Sequence, residues 1–211
     1  MIKYILTALV IGVAAGLLMN YSGNSATSGW VVDYLFNGSL LVLLFAMGLS
    51  FGLDEAAMHK LRQTGLRILV VPLAVILGSV LGGLVGGLIL RLDLSASMAV
   101  TAGYGWYTLD GPMVGQVFGA EWGAMGFAVN FIRELLTIVT ITLAVKVSKY
   151  APIASGGATT MDTTLPVIVR YCGPDALITA FSSGFMLSLL APFSIIALSS
   201  LGQTLLSLMP L

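Results

Sequence analysis

From about Gly123 to Val145 the chain is apolar apart from scattered neutral polar residues and two charges, Arg133 and Glu134, which stand side by side near its middle. The stretch is long enough to cross a bilayer, which takes roughly 20 residues. An ionisable side chain at the membrane midplane costs about 2.5 to 3.5 kcal/mol on insertion scales. A cost of that size points to function and makes Glu134 the first candidate for a group that something moves past. The remaining residues are under the same constraint. Of the 211 residues, 58% are apolar and 9% charged, against about 25% charged in ordinary soluble domains. Too few polar groups exist to cover a soluble surface. Only helices and closed barrels satisfy their backbone in lipid, and the apolar runs are continuous rather than alternating, which excludes a barrel. The expected fold is therefore an all-α, polytopic membrane protein.

The same composition excludes several function classes. Net charge is zero and there is no basic or basic-aromatic cluster, so no nucleic-acid partner is expected. One cysteine, Cys172, allows no internal disulfide and no cysteine-rich metal site. The one histidine, His59, lies in a polar loop, so no metal and no cofactor are expected. No serine–histidine, His-Glu-x-x-His or two-aspartate protease pattern marks an intramembrane enzyme. Lys3 followed by the apolar run Tyr4 to Met19 has the outline of a signal peptide. Against cleavage, Gly12 and Gly16 give the GxxxG spacing of a retained, packed helix.

Five spanning helices are expected at about 4–20, 34–53, 67–91, 123–146 and 175–199. In the third, Gly78, Gly82 and Gly86 form one row of small residues and Gly83 and Gly87 a second, either of which lets a backbone approach closely. Segment 21–33 has no Lys or Arg, whereas 54–67 holds Lys60, Arg62 and Arg67, and Lys146 and Lys149 flank the end of the fourth helix. The positive-inside rule places the N-terminus, 54–67 and 146–150 in the cytoplasm. The apolar but broken segment 94–121 must then leave and return on one face, and 151–173 on the other. These read as two opposed re-entrant hairpins separated by the charged helix, the pattern of an inverted-repeat transporter core whose substrate site lies at the midplane. The expectation is a single transmembrane domain, 1–211. Its parts are two helices and a cytoplasmic loop (1–66), a helix with the first hairpin (67–121), and the charged helix, second hairpin and last helix (122–199).

The hairpins and the charged helix carry the candidate chemistry. In the first, Tyr104, Gly105, Trp106 and Tyr107 precede Asp110, Gly111 and Pro112. Glycine and proline free backbone groups to face a cavity, and the aromatics suit a substrate cation or its alkyl stem. Alternatively, Trp106 and Tyr107 are interfacial belt anchors and Asp110 caps the following helix. In the second, Thr159 and Thr160 suit a half-helix starting near Met161, whose positive end attracts a carboxylate. Asp162, Thr163, Thr164 and Pro166 follow, and an ordinary cap-rich loop is the plainer reading. On the charged helix Asn130, Arg133 and Glu134 lie at i, i+3 and i+4 and share a face. Either Arg133 and Glu134 form a static ion pair, which is weak evidence for stability, or Glu134 binds a cation or carries a proton. Glu121 and Asp175 read as helix caps.

At these residues the sequence resembles the LysO-type lysine exporter family. The resemblance lies in Gly103-Tyr104-Gly105-Trp106-Tyr107, in Asn130 with Arg133-Glu134-Leu135, in Gly157 to Val167, and in Gly184-Phe185-Met186-Leu187-Ser188-Leu189, in order along most of 34–199. It implies a secondary active exporter of L-lysine, and of analogues such as thialysine, across the cytoplasmic membrane. It also implies that Glu134 and Asp162 correspond to the membrane carboxylates of the transport cycle. On this reading Glu134 and Asp162 receive the ammonium groups or an exchanged proton, with Asp110 a further carboxylate at the site. The amides and hydroxyls of Thr159, Thr160 and Thr163 hold the carboxylate, Tyr104, Trp106 and Tyr107 pack the stem, Arg133 tunes Glu134 or neutralises it between turnovers, and Gly105, Asn130 and Thr164 complete the expected site. Protons are the expected coupling ion, with sodium the alternative. Three departures stand out: full-length members carry further N-terminal helices, Asp110 stands where serine is more usual, and Ser183 where a histidine often precedes the glycine. A homodimer or a small separate subunit is the expected assembly. The rival reading is a scaffold or channel subunit that needs a partner for transport.

Overall fold

A computed structural model describes residues 2–21, 25–53, 55, 59 and 65–208; it is helical, and no strand occurs among the described residues. The chain divides into two compact units, Met1–Asp54 and Glu55–Leu211. The first unit contains α1 (Ile2–Tyr21) and α2 (Ser25–Leu53), which pack on each other. The polar stretch 21–33, expected as a loop, is helical from Ser25 onward. Trp30, Val31 and Val32 extend the apolar run backward, and no proline interrupts it. Lys60 and Arg62 of the basic loop lie outside the described residues.

The second unit opens with a 3-10 turn, Gly65–Leu69, that leads into α3 (Val70–Leu90). Then come α4 (Leu94–Thr101), α5 (Tyr107–Phe118), α6 (Ala120–Val147), α7 (Ala151–Gly156), a 3-10 turn at Gly157–Met161, α8 (Leu165–Cys172) and α9 (Ala176–Leu208). Among the described residues, three segments are long and apolar enough to cross a membrane: Val70–Leu90, Ala120–Val147 and Ala176–Leu201. They coincide with the third, fourth and fifth expected spans. Their outward faces are apolar, as lipid requires; Leu73, Leu77, Leu81 and Leu88 of α3 are exposed.

Neither helix pair between the spans can cross. At about 1.5 Å rise per residue, the 8 residues of α4 and 12 of α5 each fall short of a hydrocarbon core about 30 Å thick. The pair α7 and α8, with 6 and 8 residues, is shorter still. Chain connectivity sets their direction. Hairpin one (α4–α5) is joined through Gly119 to the first residue of α6, and hairpin two (α7–α8) follows its last turn through Ser148–Tyr150. Both tips reach the middle of α6, so the hairpins enter from opposite ends of that helix. Helix–hairpin–helix therefore occurs twice, with α6 shared.

Local chemistry fixes the ends. Asp93 caps α4, accepting from Ala96 N at 2.8 Å, and Arg91 closes α3 in the left-handed region at φ 56°. Of the two glycine rows on α3, Gly83 and Gly87 meet hairpin one: a Cβ on Gly87 would come within 2.9 Å of Ser97 Oγ. The row Gly78, Gly82 and Gly86 faces open space. Hairpin one joins α6 through glycine contacts as well, since a Cβ on Gly123 would stand 2.8 Å from the Gly111 carbonyl.

Candidate functional site

The tip of hairpin one is the break between α4 and α5. Tyr104 takes φ 52° and Gly105 φ 105°, so the helix stops there and polar backbone turns inward. Asn130, at the centre of α6 and buried, satisfies much of it. Its Oδ1 accepts from Gly105 N at 2.7 Å. Its Nδ2 donates to the carbonyls of Val100 at 2.8 Å and Gly126 at 3.0 Å, and to Asp110 Oδ2 at 3.0 Å.

One turn further along α6, Arg133 holds hairpin two. Nε donates to the Ser155 carbonyl at 2.8 Å, and a second guanidinium nitrogen to Ala154 O at 3.0 Å. These are carbonyls at the end of α7, where a cation complements the helix dipole. The third nitrogen donates to Ser79 Oγ on α3 at 2.9 Å. The Arg133–Glu134 ion pair weighed from the sequence is not the arrangement found. Consecutive helical residues do not face each other, and the guanidinium is occupied elsewhere.

The two tips touch directly. Ala158 N donates to the Tyr104 carbonyl at 2.8 Å. A Cβ on Gly157, at φ +65°, would collide with that same carbonyl, and a Cβ on Gly105 would stand 3.0 Å from Gly156 O. Thr159 and Thr160 do not cap a half-helix near Met161. Their hydroxyls donate back to Gly156 O and Gly157 O at 2.9 and 2.7 Å, closing a 3-10 turn, and α8 begins only at Leu165. Competition of threonine hydroxyls for nearby carbonyls explains the shift.

Beside this junction lies a cavity of about 90 Å³. Hairpin one lines it with Gly105, Trp106 and Tyr107, hairpin two with Thr159, Asp162 and Thr163, and α9 with Ser188. The Tyr107 side chain faces Glu134 and lies within electrostatic reach of Asp162, which in turn feels Glu134. Tyr107 is set edge-on against Phe127 and Phe131, with ring centroids 5.3 and 5.5 Å away. The place of Tyr107 against Phe127 and Phe131 of α6, and of Trp106 in the cavity wall, argues against belt anchors at an interface. Glu134 is buried, with Oε2 lacking a hydrogen-bond partner. Asp162 is exposed and accepts from its neighbour Thr163 N at 2.6 Å.

One lining carboxylate, Asp162, with Glu134 within electrostatic reach, the hydroxyls of Thr108, Thr159, Thr163 and Ser188, and two aromatic faces around a small cleft can bind a cation with an apolar stem. No group of histidine, cysteine and acidic side chains able to hold a metal occurs among the described residues. Of the sequence-derived candidates, Tyr104, Asp110, Asn130, Thr160 and Thr164 are fully buried behind the cavity wall, and Arg133 supports it from α7. The Thr160 hydroxyl, for example, also reaches Ala180 O on α9 at 2.8 Å. Sequence reasoning missed Ser188 and the role of Gly184. A Cβ on Gly184 would stand 2.5 Å from Met161 N, so its absence brings α9 against the tip of hairpin two. The signal was present in the small-residue motif at 184–188, but a lone glycine in an apolar helix does not announce its neighbour.

The profile of the family described as "Lysine exporter LysO" matches residues 6–199. The chain is 33% identical over 157 residues to the "Lysine exporter LysO" of Escherichia coli, covering 74% of this chain and 52% of that protein. It therefore spans about half the length of that relative. It is 27% identical over 203 residues to a Haemophilus influenzae protein titled "Putative lysine exporter", covering 93% of this chain and 97% of that one. No solved structure matches the chain.

Proposed function

The chain belongs to the lysine exporter LysO family, and on that premise we propose that it is a secondary active exporter of L-lysine, and of analogues such as thialysine, across the cytoplasmic membrane. The observation that carries this reading is the cleft between the hairpin tips, where Asp162, Trp106, Tyr107 and Thr159 converge beside Glu134 at the middle of a spanning helix. Substrate enters from the cytoplasm. Glu134 and Asp162 receive its ammonium groups or the exchanged proton, the Thr163 hydroxyl takes its carboxylate, and the rings of Trp106 and Tyr107 cover the stem. Arg133, Asn130, Thr160 and Thr164 keep the two tips in register.

Proton antiport is the economical coupling. A lysine cation that leaves an inside-negative cell moves against about 2.3 kcal/mol per 100 mV, and inward protons offset that. The rival reading, a scaffold or channel subunit, drew its strength from a static Arg133–Glu134 pair. Arg133 bonded to hairpin two and Glu134 Oε2 unpartnered favour the transporter reading over that arrangement. The test is radiolabelled lysine flux into proteoliposomes that hold this chain alone, under an imposed proton gradient. Wild type should carry gradient-driven flux and Glu134→Gln should lose it. Equal flux from both proteins would remove Glu134 from the cycle, and no flux from wild type would favour the scaffold.

A further inference from the structure

A carboxyl group that the cleft does not use lies sealed between hairpin one and α6. Asp110, in the first turn of α5, has no solvent exposure. Its Oδ2 accepts from Asn130 Nδ2 at 3.0 Å, while Oδ1 is buried without a hydrogen-bond partner. Its walls are tight: a Cβ on Gly103 would come within 2.6 Å of the Asp110 side chain, and one on Gly126 within 2.5 Å of Oδ2.

No counter-charge faces this group. Among the helices packed against α5, α4 and α9 contain no charged or titratable residue at all. On α5 itself Tyr107 is the other titratable side chain, and it points to Glu134. On α6, the nearest charges to Asn130 are Arg133, bonded to hairpin two and Ser79, and Glu134, an acid like Asp110. Tyr104, in the tip, extends its hydroxyl toward Ser194. An unpaired buried charge costs several kcal/mol, and a bound cation would remove that cost. A metal ion needs a shell of several oxygens and room for itself, and the glycine-tight walls offer none. A proton needs neither.

We propose that Asp110 is a proton-binding site that latches hairpin one to α6. With the proton on the carboxyl, α5 and the 102–106 tip stay packed over Asn130. When the carboxyl gives that proton to water, the resulting carboxylate must reach solvent, and hairpin one lifts from α6. The latch rests on the transport reading only for its purpose, which is to make movement of hairpin one depend on protons.

Hydrogen–deuterium exchange on the full chain in lipid nanodiscs tests it without lysine, from mildly acidic to mildly alkaline pH. After correction for the intrinsic chemical rate, the amides of 94–118 in wild type should lose protection as pH rises, while those of α3 hold theirs. Asp110→Asn, nearly isosteric and always neutral, should keep those amides protected throughout, and Asp110→Ser should do the same. A wild type with no pH-dependent loss, or variants that follow it, would overturn the latch. The Glu134→Gln, Asp162→Asn double variant gives a readout that leaves Asp110 untouched. Its infrared spectrum should keep the band of a buried protonated carboxyl, and that band should fade in step with the exchange. A spectrum without it would also overturn the proposal. Wild type that shows the exchange pattern but moves no lysine would sink the export reading and leave the latch standing.

Discussion

Arg133 Nε donates to the Ser155 carbonyl at 2.8 Å, so the cation at the centre of α6 is tied to the second hairpin and not to its sequence neighbour Glu134. The consequence is testable with Arg133→Lys. Three nitrogens of a planar fork reach three acceptors on two helices, and the single ammonium of lysine cannot reproduce that geometry. Hydrogen bonds from a charged donor are worth about 1.5 to 3 kcal/mol each. Thermal unfolding in detergent should show Arg133→Lys well below wild type, with Arg133→Gln lower still. Equal melting temperatures for all three would mean that the guanidinium does not hold hairpin two.

Gly157 and Gly78 should respond oppositely to the same methyl group. At Gly157 the backbone has φ +65° and a Cβ would collide with the Tyr104 carbonyl, whereas at Gly78 nothing lies within 4 Å. Gly157→Ala is expected to cost about 1 to 3 kcal/mol from the backbone conformation alone and to separate the tips, with flux lost. Gly78→Ala should be neutral or stabilising by up to about 1 kcal/mol through helix propensity. Melting temperatures and lysine flux for the pair check this, and a harmless Gly157→Ala would show that the tips do not need their direct contact.

Some of this architecture was legible in the sequence for simple reasons. Continuous apolar length marked the spans that became α3, α6 and α9, and connectivity plus broken segments marked both hairpins. What was not legible depends on where side chains point. Arg133 and Glu134 are adjacent letters that serve different elements. Asn130 read as one of three residues on a face, yet it satisfies the first tip, while Arg133 satisfies the second. Thr159 and Thr160 suggested a helix start, but their hydroxyls closed a 3-10 turn first. Segment 25–33 looked polar enough for a loop, although nothing in it stops a helix. Ser188 entered the cleft because Gly184, one turn earlier, lets α9 approach, a contact between distant segments that spacing alone does not encode.

Tyr107→Phe separates packing from chemistry. The edge-on contacts with Phe127 and Phe131 need the ring alone, while the hydroxyl faces Glu134. Stability should change by less than about 1 kcal/mol, the size of one ordinary net hydrogen bond. Lysine flux should fall, chiefly through weaker apparent affinity. Concentration-dependent flux in proteoliposomes distinguishes the outcomes, and unchanged kinetics would place the hydroxyl outside the substrate's reach.

Asn130→Ala should be the single truncation most damaging to hairpin one. The amide oxygen accepts the Gly105 N–H, and the amide nitrogen is shared among two carbonyls and Asp110. Truncation leaves the Gly105 N–H, the Val100 carbonyl and Asp110 without this partner, while Gly126 O keeps its intrahelical bond; each unsatisfied group costs about 1 to 3 kcal/mol. The damage should be local, because hairpin two is held by Arg133 rather than Asn130. Hydrogen exchange should therefore rise across 94–118 and stay near wild type across 151–172. Asn130→Asp would restore the acceptor for Gly105 but set a second carboxylate against Asp110, so it should rescue poorly except at acidic pH. If both hairpins loosened together in Asn130→Ala, the two tips would be one cooperative unit, and Asn130 and Arg133 would not hold separate hairpins.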